Sequence, residues 1–143
     1  MGDIFVIFNK NFVASQYGKM RQGFLGIILK KEKEFEMDIS CKTEGNAAVA
    51  YLCGEIDHHN AVTARAALDE MIEQLKPIRF GLDLSGVSFC DSSGLGLVMG
   101  RMRKCQSVGS SMFIKNPSNA ALKMLEIAGM DRIIKIERGK ADE

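Results

Sequence analysis

The chain has 143 residues, 46% of them hydrophobic and 26% charged, and a net charge of +1. This is the length of one domain with a sizeable core and the composition of an ordinary soluble globular protein. Lys and Arg are scattered and no apolar run nears the length of a membrane span, so nothing draws the chain globally to nucleic acid or anionic lipid.

Composition changes near Met37. Residues 1–36 hold two short greasy runs, Ile4–Phe8 and Phe24–Leu29, followed by the mixed cluster Lys30–Glu36. The opening lacks the basic n-region of a secretory signal, and valine at position 6 breaks the myristoylation pattern after Met1-Gly2. Three readings are open for this stretch: an accessory element packed on the domain, a membrane-touching segment, or a misplaced start. Lys30, Lys31 and Lys33 are interrupted by Glu32, Glu34 and Glu36, which weakens attraction to anionic lipid. The greasy runs are too short to span a bilayer. Lys33-Glu34 can be encoded AAG-GAG, a ribosome-binding sequence, and Met37 follows after two intervening codons. The expectation is a domain over residues 37–143, preceded by an extension that arises from a misplaced start and adds little to folding or partner binding.

From Met37 onward the elements follow in order. Met37–Thr43 and Ala47–Cys53 read as strands joined by the turn Glu44-Gly45-Asn46. Ala61–Leu75 reads as a helix with Ala64, Leu68, Met71, Ile72 and Leu75 on one face and Asp69, Glu70 and Glu73 off it; Pro77 closes it. Phe80–Leu84 is a short apolar strand. Ser93–Val108 is a second helix, with Leu95, Val98, Met99 and Met102 inward. Ser111–Lys115 is a strand, Asn116-Pro117-Ser118-Asn119 a turn, Ala120–Ala128 a third helix stopped by Gly129, and Ile133–Ile136 the last strand. Strands alternating with helices predict an α/β domain with a mainly parallel sheet, the opening hairpin supplying antiparallel pairing. Cys41, Cys53, Cys90 and Cys105 share no C-x-x-C spacing and lie among apolar or strand-forming neighbours. They read as reduced thiols acting as small hydrophobes, as in a reducing cytoplasm, and not as a zinc or redox site.

Chemistry concentrates in C-D-S-S-G-L-G-L, Cys90 to Leu97, where a strand gives way to a helix. A nucleophile elbow requires G-x-S-x-G, yet Asp91 stands two before Ser93 and Cys90 two before Ser92. The only histidines, His58 and His59, are adjacent to each other, and tertiary structure alone could bring them to Ser92. Gly94, Gly96 and Gly100 open a helix after a strand, but their spacing is one residue longer than the dinucleotide fingerprint and a P-loop lysine is missing. Nucleotide binding at Gly94–Gly100 is the alternative reading of this stretch. A phospho-aspartate receiver would place Asp83 and Asp91 near a strand end with Glu55 and Asp57, but it lacks a suitably placed late lysine. The plain reading is that Ser92 caps the helix and Gly94 starts it. That leaves the glycines unexplained, since each costs up to about 1 kcal/mol in a helix interior. Close packing of helix on sheet and a bare surface for a partner's backbone both remain open. The second polar segment, G-E-I-D-H-H-N-A from Gly54 to Ala61, reads as a strand-to-helix loop capped by Asn60 or Asp57. As a metal site it lacks the H-x-x-x-H spacing, and adjacent histidines rarely converge on one ion. In a parallel sheet both loops lie at carboxyl strand ends and form one face.

Together, G-E-I-D-H-H-N-A and D-L-S-G-V-S-F-C-D-S-S-G-L-G-L-V-M-G-R closely resemble the anti-sigma factor antagonists of the STAS domain family, above all the sporulation type of spore-forming bacteria. The resemblance runs from Met37 to about Ile136. It implies a STAS-type single domain: a mixed, mostly parallel sheet with an N-terminal antiparallel hairpin and helices packed on it. It also implies that Ser92 accepts phosphate from a partner that is both anti-sigma factor and serine kinase. The unphosphorylated form would bind that kinase and release the sigma factor, and a serine phosphatase would restore it. The partner-binding residues it implies are Glu55, Asp57, His58 and His59 of the first loop and Asp91, Ser92, Ser93, Gly94, Leu95 and Gly96 of the second. Such a protein is a substrate and a ligand rather than a catalyst. It would be cytoplasmic, monomeric when free, without cofactor or metal, and without contact to nucleic acid or membrane.

Overall fold

A computed structural model of the chain describes residues 37–139 and, by backbone alone, the strands Phe5–Phe8 and Val13–Ser15. In chain order the strands are β1 (Phe5–Phe8), β2 (Val13–Ser15), β3 (Asp38–Glu44), β4 (Ala47–Ile56), β5 (Arg79–Cys90), β6 (Ser111–Lys115) and β7 (Lys135–Glu137). Helix α1 (His58–Leu75) links β4 to β5, α2 (Ser92–Ser107) links β5 to β6, and α3 (Asn119–Ile127) precedes a single 3₁₀ turn at Met130–Arg132. The sheet order is β2-β1-β3-β4-β5-β6-β7. Pairing is antiparallel as far as β4 and parallel from β4 to β7. The mixed sheet with its β3–β4 hairpin is as the sequence predicts, whereas β1 and β2, which extend the sheet beyond β3, are not among the predicted strands. At the hairpin Glu44 pairs with Ala47, and Gly45 takes a φ of 63°, a left-handed conformation that glycine adopts at no steric cost.

The main core lies between one face of the sheet and the three helices. Alternation brings Ile39 and Cys41 of β3, Ala48, Ala50 and Leu52 of β4, and Phe80, Leu82 and Leu84 of β5 to that face. Against them α1 buries Ala64, Leu68, Met71 and Ile72 as its periodicity predicts, with Leu75 half-buried at its end. Helix α2 bears out Val98 on its inner face and corrects the rest of that reading. Its buried residues are Gly94, Leu97, Val98, Arg101 and Cys105, while Leu95, Met99 and Met102 are half-buried on its flanks. It packs between α1 and α3, so apolar flanks are needed on both sides and its innermost stripe accommodates an arginine. Strand β5 also runs on through Ser85–Cys90, beyond the predicted end at Leu84. Asp83 accepts hydrogen bonds from the Ser85 backbone N–H (2.9 Å) and hydroxyl (2.6 Å), and the β4–β5 register shifts past Tyr51. An irregular polar stretch of this kind carries no alternation to read. The last strand is Lys135–Glu137, its predicted first residues lying between it and the 3₁₀ turn.

Arg101 ties α2 to α1. It is only 4% exposed, with Nε 2.7 Å from Asp69 Oδ1. Burial lowers its pKa and the Asp69 carboxylate opposes that shift. One turn further on, Lys104 Nζ lies 3.2 Å from Glu73 Oε1. No helix of the described residues is long and apolar enough to cross a membrane.

Two stability measurements follow. Asp69→Ala strands a buried guanidinium and is expected to cost about 2 kcal/mol, whereas Arg101→Met removes the charge together with its desolvation penalty and should stay within about 1 kcal/mol of wild type. Urea unfolding reads both. The extension before Met37 falls largely outside the described residues, and the main core draws on residues 37–134 among those described. We propose that residues 37–143 form the folding unit. Deleting residues 1–36 should then lower Tm by less than about 5 °C, the shift that about 1 kcal/mol produces in a domain of this size. A larger loss, read by circular dichroism, would give the extension a packing role.

Candidate functional site

The parallel pairing of β4 and β5 places Ile56 beside Cys90, so the segments that follow leave the sheet together. Asp91 N–H donates to the Ile56 carbonyl at 3.2 Å and joins them. Each segment then enters a helix through an aspartate cap. Asp57 Oδ1 accepts from Asn60 N–H at 2.8 Å, and Asp91 Oδ1 accepts from Ser93 N–H at 2.7 Å. Buried Asn60 donates through Nδ2 to the Glu55 carbonyl at 2.9 Å, fixing the entry to α1.

These caps correct two details of the sequence reading. Helix α1 begins at His58 rather than Ala61, so His58 and His59 stand exposed on its first turn. Apolar periodicity cannot register a polar first turn, whereas the capping aspartate marks it. Helix α2 is capped by Asp91, and Ser92 is its first helical residue. Ser92 is exposed, Ser93 half-buried and Gly94 buried.

The glycines divide. A Cβ on Gly94 would collide with Cys90 Sγ and press on Ile56 Cγ2 at 3.4 Å, so close approach of α2 to β5 requires glycine there. Around Gly96 and Gly100 a Cβ would meet nothing within 4 Å. Packing explains the first, whereas at the other two a Cβ would stand in open space. Burial, reinforced by the Asp91 charge, pushes the Cys90 thiol up to about 11, which keeps it protonated at neutral pH and poor as a nucleophile. Burial also raises Cys41 to about 12 and Cys105 to about 11. All four cysteines are free. Cys53 departs from the expected apolar setting and is exposed. Among the described residues no three His, Cys, Asp or Glu side chains gather in a way that could hold a metal ion.

The residues singled out in the two segments thus meet at one end of the sheet. Glu55, His58, His59, Ser92 and Gly96 are exposed, and Asp57, Asp91, Ser93 and Leu95 are half-buried. Two concavities flank the start of α2. On the α3 side Ser92 and Leu95 border an apolar groove of about 570 Å³ with Phe89, Met124, Ile127 and Lys123. On the α1 side Ser93 and Gly96 border a smaller one with His58, Val62 and Arg65. Sequence reasoning passed over Phe89, Val62, Arg65, Lys123, Met124 and Ile127. The available signal was an apolar residue off the inward stripe: Phe89 is 48% exposed and Ile127 78%.

A sequence profile of the STAS domain matches residues 38–142. The chain is 39% identical over 82 residues to the anti-sigma F factor antagonist of Lysinibacillus sphaericus, covering 57% of this chain and 70% of that protein. Among solved structures it is similar to the anti-sigma factor antagonist SpoIIAA in its unphosphorylated form, with 28% identity, a TM-score of 0.61, and 73% of this chain and 90% of that one covered. It is similar also to the Bacillus cell fate determinant SpoIIAA in the phosphorylated form, at 28% identity and a TM-score of 0.57, covering 73% and 93%. With the profile spanning most of the chain and the same sheet and helices present, the chain belongs to the STAS domain family.

Proposed function

We propose that the protein is a cytoplasmic anti-sigma factor antagonist switched at Ser92. In this reading the unphosphorylated form binds an anti-sigma factor that is also a serine kinase, and the sigma factor is released. Phosphorylation of Ser92 ends the interaction, and a serine phosphatase restores it. The observation that carries the reading is an exposed hydroxyl on the first turn of a capped helix, within the D-S-S-G-L-G segment of a STAS domain. The names of the antagonist relatives support it.

The chemistry of the site suits such a switch. A phosphate on Ser92 stands at the positive end of the α2 dipole, where an anion is stabilised. The Asp91 cap already holds the backbone N–H of Ser93, so the added group has no cap to replace. Phosphorylation adds about −1.5 to −2 charge to a face that already carries Glu55, Asp57 and Asp91. Inside an interface that charge repels an acidic or apolar partner surface. The fold is left alone while the contact is lost.

The test is to mix the protein with candidate anti-sigma kinases and ATP and to map the product by mass spectrometry. Phosphate is expected on Ser92, and Ser92→Ala should lose it while still binding the kinase. Stoichiometric labelling of that variant at Ser93 would move the assignment. Ser92→Asp, or the phosphorylated protein, should bind the kinase at least about tenfold more weakly in calorimetric titration, a difference of about 1.4 kcal/mol. Circular dichroism should stay unchanged. Equal affinity for both forms would rule out an electrostatic switch.

A further inference from the structure

Helices α1 and α2 lie side by side, and charged side chains cross their seam at regular intervals. Arg65, Asp69 and Glu73 are spaced i, i+4 and i+8, on one side of α1. Asp69 pairs with Arg101 and Glu73 with Lys104 across the seam. The remaining position, nearest Ser92, differs. Arg65 is exposed and has no ion-pair partner among the described residues. Where an acidic side chain on α2 would face it, the sequence has Gly96 and Leu97, and a Cβ on Gly96 would meet only open space. The result is a notch of about 230 Å³ walled by His58, Ala61, Val62, Arg65, Ser93, Gly96 and Leu97.

Among the residues that line the notch Arg65 carries the fixed charge. Arg65 and Arg101 are close enough for the Arg65 charge to oppose protonation of Arg101, behind the larger effects of burial and Asp69. Asp69 is taken by Arg101 and Glu73 by Lys104, so neither acid of the seam is paired with Arg65. His58, which also lines the notch, brings no acidic group to it. A carboxylate entering the notch would complete the third crossing and neutralise Arg65. Val62, 56% exposed on the rim, offers apolar contact to the residues flanking such a carboxylate.

We propose that this notch is a docking site for an Asp or Glu side chain of the anti-sigma factor, with Arg65 as its counter-charge. The inference rests on the antagonist reading and adds to it a specificity-determining residue outside the two segments that the resemblance marks. It also gives the phosphate a second target. A phosphate on Ser92, one residue from Ser93 in the notch wall, opposes the entry of a carboxylate. The absence of a side chain at position 96 acquires a reason as well: glycine weakens an exposed helix but leaves the notch open.

The experiment uses the full chain and the anti-sigma factor that binds it in the assay above. Arg65→Lys should keep affinity within about threefold, Arg65→Gln should lose about tenfold, and Arg65→Glu should lose more, each tenfold corresponding to about 1.4 kcal/mol. The loss should shrink as salt is raised. Thermal unfolding of the free variants should show no decrease for Arg65→Gln, since that change relieves repulsion on Arg101. A charge-reversing scan of the anti-sigma factor should find one acidic residue whose change to Lys restores binding to Arg65→Glu. Equal affinity of all three variants, or an equal loss in Arg65→Lys and Arg65→Glu, would overturn the carboxylate site while the antagonist reading stands. If the wild-type chain binds no anti-sigma factor at all, the antagonist reading itself fails, and this inference with it.

Discussion

The parallel pairing of β4 with β5, carried out to Ile56 and Cys90, is the constraint on which the rest of the site depends. Without that shared end, the two aspartate-capped helix starts would belong to separate regions of the surface. With it, one backbone hydrogen bond from Asp91 to Ile56 is enough to hold the caps side by side. The pairing also has an electrostatic cost. Helices that follow parallel strands run in the same direction, so α1 and α2 place their dipoles side by side with like ends together. The cross-helix pairs of Asp69 with Arg101 and Glu73 with Lys104 counter that repulsion along the seam. At the amino ends the positive partial charges are left to face the acidic groups of the caps.

Much of this was legible in the residues, and the parts that were not share a cause. Alternation in β3 and β4 and the 3.6-residue period of α1 report burial directly, because one face of each element meets one core. Helix α2 meets three surfaces at once: the sheet, α1 and α3. Its apolar residues therefore spread around the axis, and its innermost stripe contains Arg101, whose long stem buries well while its head finds Asp69. Periodicity placed Val98 correctly there and put the half-buried Leu95, Met99 and Met102 in the innermost stripe. The second half of β5 escaped for the opposite reason. Ser85, Gly86, Ser88 and Phe89 are exposed on a strand whose partner register has shifted, so no pattern links residue type to burial.

At the site the motif residues could be singled out without coordinates because their chemistry is local: an acid, a hydroxyl and a glycine at fixed spacing around a helix start. Gly94 illustrates what the chain alone leaves open. Its need to be glycine comes from Cys90 and Ile56, one on the preceding strand and one on a strand thirty-odd residues earlier. Gly96, two positions on, has no such neighbour, and the two look alike in one dimension. The walls of the flanking concavities come from α1 and α3, so residues such as Arg65 and Ile127 become part of the site only once the helices are in place.

The environments of the thiols carry a practical consequence. Cys41 and Cys105 are buried, and Cys90 is half-buried with its proton held to about pH 11. Cys53 alone among the described cysteines is exposed, on β4 opposite Asp38 and beside Gly86. A maleimide dye applied at neutral pH would therefore collect on β4, leaving the start of α2 chemically untouched. The native chain thus carries its own attachment point for a fluorophore, a few residues upstream of the Asp57 cap. Binding of a partner at this end of the sheet could be followed by anisotropy there without first engineering a cysteine into the surface.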